Sequence, residues 1–588
     1  MTATLASMKP GGSGCVEMRE GTGSYDFDAI VVGSGISGGW AAKELTERGL
    51  KVLLLERGPN VEHRKDYTGE GQAPWQLPYL DDVPESIVEK HYSTQARCYA
   101  FRDSTKQFFV KDSETPYATP DGKPFDWIRG YHLGGRSLTW HRQSYRLSDI
   151  DFDANRAEGI GVDWPIRYED IAPWYDYVET FAGITGSVEG LAQLPDGKFQ
   201  PPMQMNCVEK TMAEKLAAAY PDRRLIIGRA AHLTAPTDEQ KKLGRMRCQY
   251  RNECQRGCSF GAYFSSLSAT LPAARNTGNL TTITDAVVES VVHDAETGRA
   301  TGVRVVDAND ATAKRQYRGR LVFLCASTLA STQIMLNSRS ERFPNGIAND
   351  SGTLGRYLMD HIGGVYVSGV MPGFLDQYHK GRRPTGCYLP RFRNVAERDE
   401  RFLRGFGYQG AAGRLDWRRG RYSAGIGESL KTELRQPGPW MFGMSGFGEM
   451  LPYDHNRVWL DEKQTDRWGM PILNIDCTHG ANERAMLDAM AEDGVDTLEA
   501  AGLTDISVRR NITPPGLLIH EMGTARMGRD PATSVLNRYN QAHSVANLFV
   551  TDGACMTSSA CQNPSLTYMA LTARAAHAAA DMLAENRL

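Results

Sequence analysis

Two short stretches at opposite ends of the chain carry residue types that could do chemistry together. Near the start, Ile30 to Gly39 reads IVVGSGISGG, placing Gly33, Gly35 and Gly38 in a GxGxxG frame, and Glu56 closes the next apolar run, VLLLERG. Glycines so spaced permit a tight turn, let backbone approach a pyrophosphate and let a helix pack closely on a strand. The helix N-terminus then stabilises negative charge, and an acid after the following strand can hold ribose hydroxyls. Near the end, His520 opens HEMGTARMG, Asp552 and Gly553 follow LFVT, and Asn563 and Pro564 begin NPSLTYMAL. A neutral imidazole can accept a hydroxyl proton near neutral pH, and a carboxamide can orient the oxygen left behind. The first stretch alone does not separate NAD from FAD. Asp552–Gly553 after a strand does, since an acid and a close-approaching backbone suit the ribityl-pyrophosphate section of an extended FAD. Together the two ends predict a flavin site and a two-electron oxidation of an alcohol, with Glu56 and its neighbour Arg57 among the cofactor contacts.

A third stretch, RCQYRNECQRGC, spaces Cys248, Cys254 and Cys258 as C-x5-C-x3-C. Thiolates at such spacing can wrap an iron-sulfur centre. Structural zinc usually takes four ligands and a C-x2-C knuckle, and this segment offers neither. Three cysteines suit a [3Fe-4S] cluster; zinc and ordinary thiols are the alternatives. Arg247, Arg251 and Arg256 would offset a cluster's charge or lie on the surface, and Cys207 is a candidate extra ligand. Cys325, in an apolar strand, reads as a small core residue.

These residues need a scaffold, and the periodicity supplies one. A βαβ unit begins at about Tyr25: strand DAIVVG, a glycine turn, helix WAAKELTERG, strand KVLLLE. From Pro59 to about Phe125 the text predicts long covering loops. A helix is expected over Ile171 to Ala182, a hairpin from LTTITDAVVESVVHD through GRATGVRVVD to GRLVFLCAS, and a helix in NERAMLDAMAEDGVDTLEAAG. The last stretch is a helix with Asn563–Pro564 at its head. The expected fold class is α/β: a discontinuous Rossmann-like FAD-binding domain from 25–60, 126–165, 245–350 and 515–588, with an inserted substrate domain built on an antiparallel sheet. Residues 61–125, 166–244 and 351–514 form that domain and the covering loops. The cysteine segment spans 247–260, and 1–24 reads as a mobile tail.

The bulk numbers set limits. With 588 residues, 41% apolar and 23% charged, the chain suits a soluble protein of two or more domains. A net charge of -3 gives no general reason to expect nucleic acid or anionic membranes. No run approaches the roughly 20 apolar residues that cross a bilayer, and MTATLASMKPGGSGC lacks the regions of a cleavable signal, so by itself the chain reads as cytoplasmic. Gly381 to Arg404, with seven Arg against Glu397, Asp399 and Glu400, reads as a solvated mixed-charge surface.

Further segments add a resemblance. RGYHLGGRSLTWH at Arg129 to His141, DWPIRYEDIAPWYDYVE, FLCASTLASTQIMLNS, SGTLGRYLMDH and GEMLPYDHNRVWLDEKQTDRWGMP join the two ends in an order that resembles the glucose-methanol-choline oxidoreductase family along most of the chain. The resemblance implies that His520 is the catalytic base near flavin N5 and Asn563 its partner. It also implies that Val288 holds adenine through its backbone, that Gly134, Gly135 and Ser137 line the isoalloxazine, and that Pro564 belongs to the flavin site. Two departures matter. Where sugar oxidases of the pyranose oxidase type carry an STHW motif with a flavin-tethering histidine, this chain has Ser137-Leu138-Thr139-Trp140, so FAD is expected to be non-covalent. Ser327 and Thr332 alter the family's second signature.

The cysteine segment is similar to the cluster-binding insertion of catalytic subunits of bacterial FAD-dependent sugar dehydrogenases. That likeness implies oxidation of a pyranoside, favoured at C3, with electrons passing through the [3Fe-4S] cluster to a cytochrome-type acceptor. The alternatives are a free aldose, gluconate or polyol as substrate, an oxygen-using oxidase, and a non-catalytic flavoprotein. The likeness further implies a small subunit bearing an export signal, a cytochrome c-type subunit, and periplasmic location by co-export. In the substrate domain, Gln409 and Arg414 are candidates to meet sugar hydroxyls.

Overall fold

The computed structural model describes residues 25–378, 381 and 383–588; the tail expected at 1–24 lies outside the described residues. Its centre is a parallel sheet that draws strands from both ends of the chain. Phe27–Val32 pairs in parallel with Val52–Leu55 on one side and with the end of Asp310–Leu324 on the other. Leu280–Ile283 extends the sheet beyond Val52–Leu55, and Leu548–Val550 extends it beyond Asp310–Leu324. The near-continuous apolar runs follow from burial on both faces, as parallel sheets require. All of Ala29 to Val32 and Val52 to Leu55 is buried. Helices Ile36–Glu47 and Ser565–Ala584 pack on each other beside it, so head and tail form one unit.

The hairpin expected after Leu280 is a three-stranded antiparallel meander of Ala286–Asp294, Arg299–Asp307 and the first part of Asp310–Leu324. That last strand is 15 residues long and runs on into the parallel sheet. The covering region after Pro59 contains short 3-10 turns and one helix, Glu85–His91. The other expected helices stand at Tyr168–Ala182 and Ala481–Ala500.

A second, six-stranded antiparallel sheet runs in the order Thr504–Arg510, Val365–Met371, Trp440–Gly448, Phe406–Arg414, Cys387–Leu389, Ile226–Ile227. The period of two is plain in Trp440–Gly448, where alternate residues are buried. Trp440, Phe442 and Met444 face the core shared with Met486 and Met490 of helix Ala481–Ala500, while Ser445 and Phe447 face a cavity between the sheets. No helix among the described residues is long and apolar enough to cross a membrane.

The basic run from Gly381 to Arg404 is a solvated surface only in part: Glu397, Arg398, Glu400 and Arg401 are exposed, but other arginines turn inward. Arg391 and Arg404 are buried. Arg383 pairs with Glu209 at 2.6 Å, Arg393 with Asp493 at 2.6 Å, and Arg404 with Glu158 at 2.6 Å and Glu449 at 3.1 Å. Carboxylates remote in sequence neutralise these guanidinium groups, a pairing that a local count of charges cannot see.

Candidate active site

The carboxyl ends of the parallel strands converge on one cavity of about 620 Å3. Gly33 follows Val32, Glu56 follows Leu55, Cys325 follows Leu324, and Thr551 and Asp552 follow Val550, so each strand delivers its next residues to the same edge, where open α/β sheets bind ligands. Of the expected contacts, Gly33, Gly35, Glu56, Arg57, Gly135, Ser137, Val288, His520, Asp552, Gly553, Asn563 and Pro564 all line it. Gly38 and Gly134 lie behind the wall as packing residues. A Cβ on Gly38 would sit 1.7 Å from the Gly33 carbonyl oxygen, and one on Gly134, at φ +90°, would press on Leu138 and Leu267.

The nucleotide end fits FAD on three counts. A Cβ on Gly35 would meet nothing within 4 Å, which leaves the cavity open against the backbone at the first turn of the helix. The hydroxyl of Tyr568 and Nε of Arg57, both on the wall, have no hydrogen-bond partner among the described residues. The volume falls in the range of ordinary cofactor pockets. Glu56 is buried and accepts from the Ser34 backbone at 3.2 Å, the Ser34 hydroxyl at 2.5 Å and the Gly58 N–H at 3.0 Å. Burial raises its carboxyl above the ordinary range even so. Asp552 accepts from Ser331 at 2.5 Å and Ala554 N–H at 3.0 Å, and burial pushes it up to about 6. The Arg57 guanidinium lies 4.0 Å from the Tyr131 ring centroid and 4.9 Å from that of Trp468. The LGGRS loop turns at Gly134, whose N–H donates to the Ser34 hydroxyl at 2.8 Å, tying it to the first glycine turn. Thr139 stands on the wall where the STHW frame has its histidine.

The reactive end is built from the tail and the second sheet. His520 Nε2 and Asn563 Nδ2 are 3.3 Å apart. Gln409, on strand Phe406–Arg414, donates to Asn563 Oδ1 at 2.5 Å. Burial, with lesser effects from His361 and Arg136, holds the His520 imidazole well below its ordinary pKa, so it is neutral with a lone pair to offer. Gln409 thus orients the amide, whereas Arg414 lies apart: it donates to the carbonyls of Gly438, Gln377 and Leu375 and is absent from the cavity wall. Two contacts went unread in the sequence. His361 Nδ1 is 3.0 Å from His520 Nδ1, and the Asp360 carboxylate accepts the His520 N–H at 3.1 Å. SGTLGRYLMDH had marked the segment without giving either residue a task.

The cysteine segment sits beside the flavin loop. Arg142 donates to the Leu138 carbonyl at 2.5 Å and to the Cys254 carbonyl at 3.4 Å. Among the described residues no three His, Cys, Asp or Glu side chains converge to hold a metal ion, so the geometry does not carry the metal assignment of Cys248, Cys254 and Cys258. Burial pushes the Cys254 thiol up to about 12. The surroundings nonetheless suit anionic sulfur: His232 Nε2 is 3.5 Å from Cys254 Sγ, and Nε and Nη1 of Arg142 have no partner among the described residues. Cys207 opens helix Cys207–Ala219 and packs on the core of the second sheet, a cluster different from that of Cys248 and Cys258. Cys325 is buried in the parallel-sheet core, as expected.

Family models described as GMC oxidoreductase match residues 27–363 and 452–572. The chain belongs to the GMC oxidoreductase family and is an FAD-dependent oxidoreductase acting on CH–OH groups. It is similar to 2-methyl-1,2-propanediol dehydrogenase of Mycolicibacterium austroafricanum, 28% identical over 585 residues that cover 94% of this chain and 95% of that one. It is also similar to the fructose dehydrogenase large subunit of Gluconobacter japonicus, 26% identical over 563 residues covering 94% and 97%. Among solved structures, the formate oxidase of Aspergillus oryzae RIB40 shares the fold, with a TM-score of 0.57 at 16% identity over 95% of this chain and 99% of that chain.

Proposed function

We propose that this protein is a dehydrogenase that oxidises a secondary hydroxyl of a sugar or glycoside, favoured at C3 to give a 3-keto-glycoside. The observation that carries the reading is the convergence of His520 and Asn563 at 3.3 Å on the wall of the cavity that suits FAD. Bound without a covalent tether, FAD supplies the acceptor for the hydride. The chain's residues do the rest. His520 Nε2 takes the hydroxyl proton, and the Asn563 amide, held by Gln409, donates to the substrate oxygen as negative charge grows there. Tyr99, Trp140 and Phe447 supply aromatic faces to the cavity, and Gln143 and Ser445 supply hydrogen-bonding groups, a lining suited to a polyhydroxylated ring. The likeness to relatives that act on fructose and on a diol favours a second reading, a free sugar, gluconate or polyol as substrate.

The domain reading goes with it: a discontinuous Rossmann-like FAD-binding domain with an inserted substrate domain. Cys248, Cys254 and Cys258 are proposed to hold a [3Fe-4S] cluster, which would supply one-electron transfer toward a cytochrome-type acceptor. Support comes from their spacing and from the unpaired donors of Arg142; one thiolate serves each iron, so such ligands need not converge on a single point. A small export-signal-bearing subunit, a cytochrome c-type subunit and a periplasmic location complete the proposal. Its test is an iron assay and visible spectrum of anaerobically purified protein, followed by a panel of glycosides, free sugars, gluconate and polyols. Flavin bleaching by glycosides with a 3-keto product is expected. Bleaching by diols or gluconate alone would replace the substrate assignment, and iron-free protein turning over rapidly with oxygen would replace the electron route.

A further inference from the structure

The dipeptide Asp360–His361 holds His520 from two sides. Its segment is clamped at both ends: Met359 exchanges backbone hydrogen bonds with Met522, both 2.9 Å, and Ile362 with Gly448 at 3.0 and 2.9 Å. Between the clamps, the Asp360 carboxylate accepts the N–H groups of Gly516 at 2.7 Å, Leu518 at 3.3 Å and His520 at 3.1 Å. This grip holds Ile519 at φ +66°, a left-handed conformation that a β-branched residue enters only under constraint.

His361 holds the ring. The two Nδ1 atoms are 3.0 Å apart, with ring centroids 4.7 Å apart and planes at 70°. Burial lowers the His361 pKa to about 4, so this imidazole is neutral at working pH. Two facing ring nitrogens can share one proton, and the rest of the site decides its owner. Gln409 donates to Asn563 Oδ1, so Asn563 presents Nδ2–H to His520 Nε2, which must offer a lone pair. A neutral His520 with a bare Nε2 carries its proton on Nδ1 and donates it to His361. His361 then keeps its own proton on Nε2, which is buried without a hydrogen-bond partner among the described residues, so the Nδ1 contact with His520 is what sets its tautomer.

We propose that His361 is a positioning residue that accepts the Nδ1 proton of His520 and so fixes the one tautomer able to take a substrate proton at Nε2. The proposal rests on the reading of His520 as base. In the oxidation, the substrate O–H bond breaks and its proton goes to Nε2, while the C–H bond breaks with its electron pair leaving to the flavin as hydride. The carbonyl forms, and the bond from Nδ1–H to neutral His361 becomes charge-assisted.

The test uses the FAD-loaded full chain and anaerobic stopped-flow bleaching across substrate concentrations. His361→Leu is expected to lower the limiting rate roughly 100-fold, the scale of a general-base contribution, while leaving half-saturation within about 2-fold. His361→Asn, whose amide oxygen can accept the same proton, is expected to recover most of the loss. Equal losses in both variants, or a raised half-saturation at an unchanged limiting rate, would overturn the proposal. A wild-type rate in His361→Leu alongside a dead His520→Ala would overturn the tautomer role alone. A wild-type rate in His520→Ala would remove the base and this proposal with it. A readout that needs no His361 variant is histidine 15N NMR, with the His520 signals assigned by their loss in His520→Ala. A protonated Nδ1 and bare Nε2 at pH 7.5 support the proposal, and the opposite tautomer overturns it.

Discussion

Replacing Gly35 and Gly38 separately by alanine should split fold from cofactor binding. The added Cβ at Gly38 would stand 1.7 Å from the Gly33 carbonyl oxygen, 2.8 Å from its carbonyl carbon and 3.4 Å from Cys325 Cβ. Contact near 3.4 Å is ordinary, so helix and strand must part by well over an ångström in the middle of the core. Gly33 cannot yield, because its own Cα already faces the Cys325 carbonyl, where a Cβ would lie 2.6 Å away. Overpacking of this kind costs about 1–3 kcal/mol and here should reach the upper end. Gly35→Ala meets nothing within 4 Å, so its fold cost is small, but its methyl occupies space where backbone would approach the cofactor. Urea unfolding of the apoprotein and fluorescence of released flavin measure the two effects. Gly38→Ala should lower the unfolding midpoint, while Gly35→Ala should keep it and lose flavin readily. A Gly38→Ala protein as stable as wild type, or a Gly35→Ala protein that retains flavin normally, would refute this reading of the glycine frame.

Other outcomes follow from the same geometry. Gln409→Leu removes the donor to Asn563 Oδ1 and should slow flavin reduction by about 10-fold, a modest hydrogen-bond energy; equal rates in single-turnover assays would show that the amide needs no such hold. Arg404→Met leaves Glu158 and Glu449 without their buried partner and should cost about 3–5 kcal/mol in urea unfolding; a change below 1 kcal/mol would contradict that. Burial, with repulsion from Glu521, raises Asp360 from 3.8 to about 7 in the folded state. The stability this group contributes is therefore fully present below pH 3.8 and is lost as pH rises through about 7. Wild-type stability relative to Asp360→Asn should decline from pH 4 to 7, and a flat difference would rule out the raised pKa.

The parts of the site legible in the sequence are those whose chemistry is local. The glycine frame and Glu56 are contiguous in one βαβ unit, and Asp552, Asn563 and Pro564 follow a strand or head a helix, so pattern alone places them. What stayed hidden depends on meetings across long sequence separations. His361 touches His520, which is 159 positions away, and Gln409 reaches Asn563 across 154. Neither pair leaves a local signature. Arg414 shares a strand with Gln409, but its fork turns to loop carbonyls at the sheet's outer end. The arginine run read as surface shows the same limit at Arg383, Arg393 and Arg404, whose partners Glu209, Asp493 and Glu449 are remote in sequence. For Cys248, Cys254 and Cys258 the spacing was readable, whereas their arrangement in space is a tertiary matter that spacing does not decide.

The most direct test of the central claim is the single-turnover rate of flavin reduction by substrate in His520→Ala, measured without oxygen against wild type. A neutral imidazole that removes the hydroxyl proton predicts a fall of roughly 100-fold or more at saturating substrate, with flavin content unchanged. An unchanged rate would contradict the account, because the cavity would then oxidise its alcohol without the base on which the assignment depends.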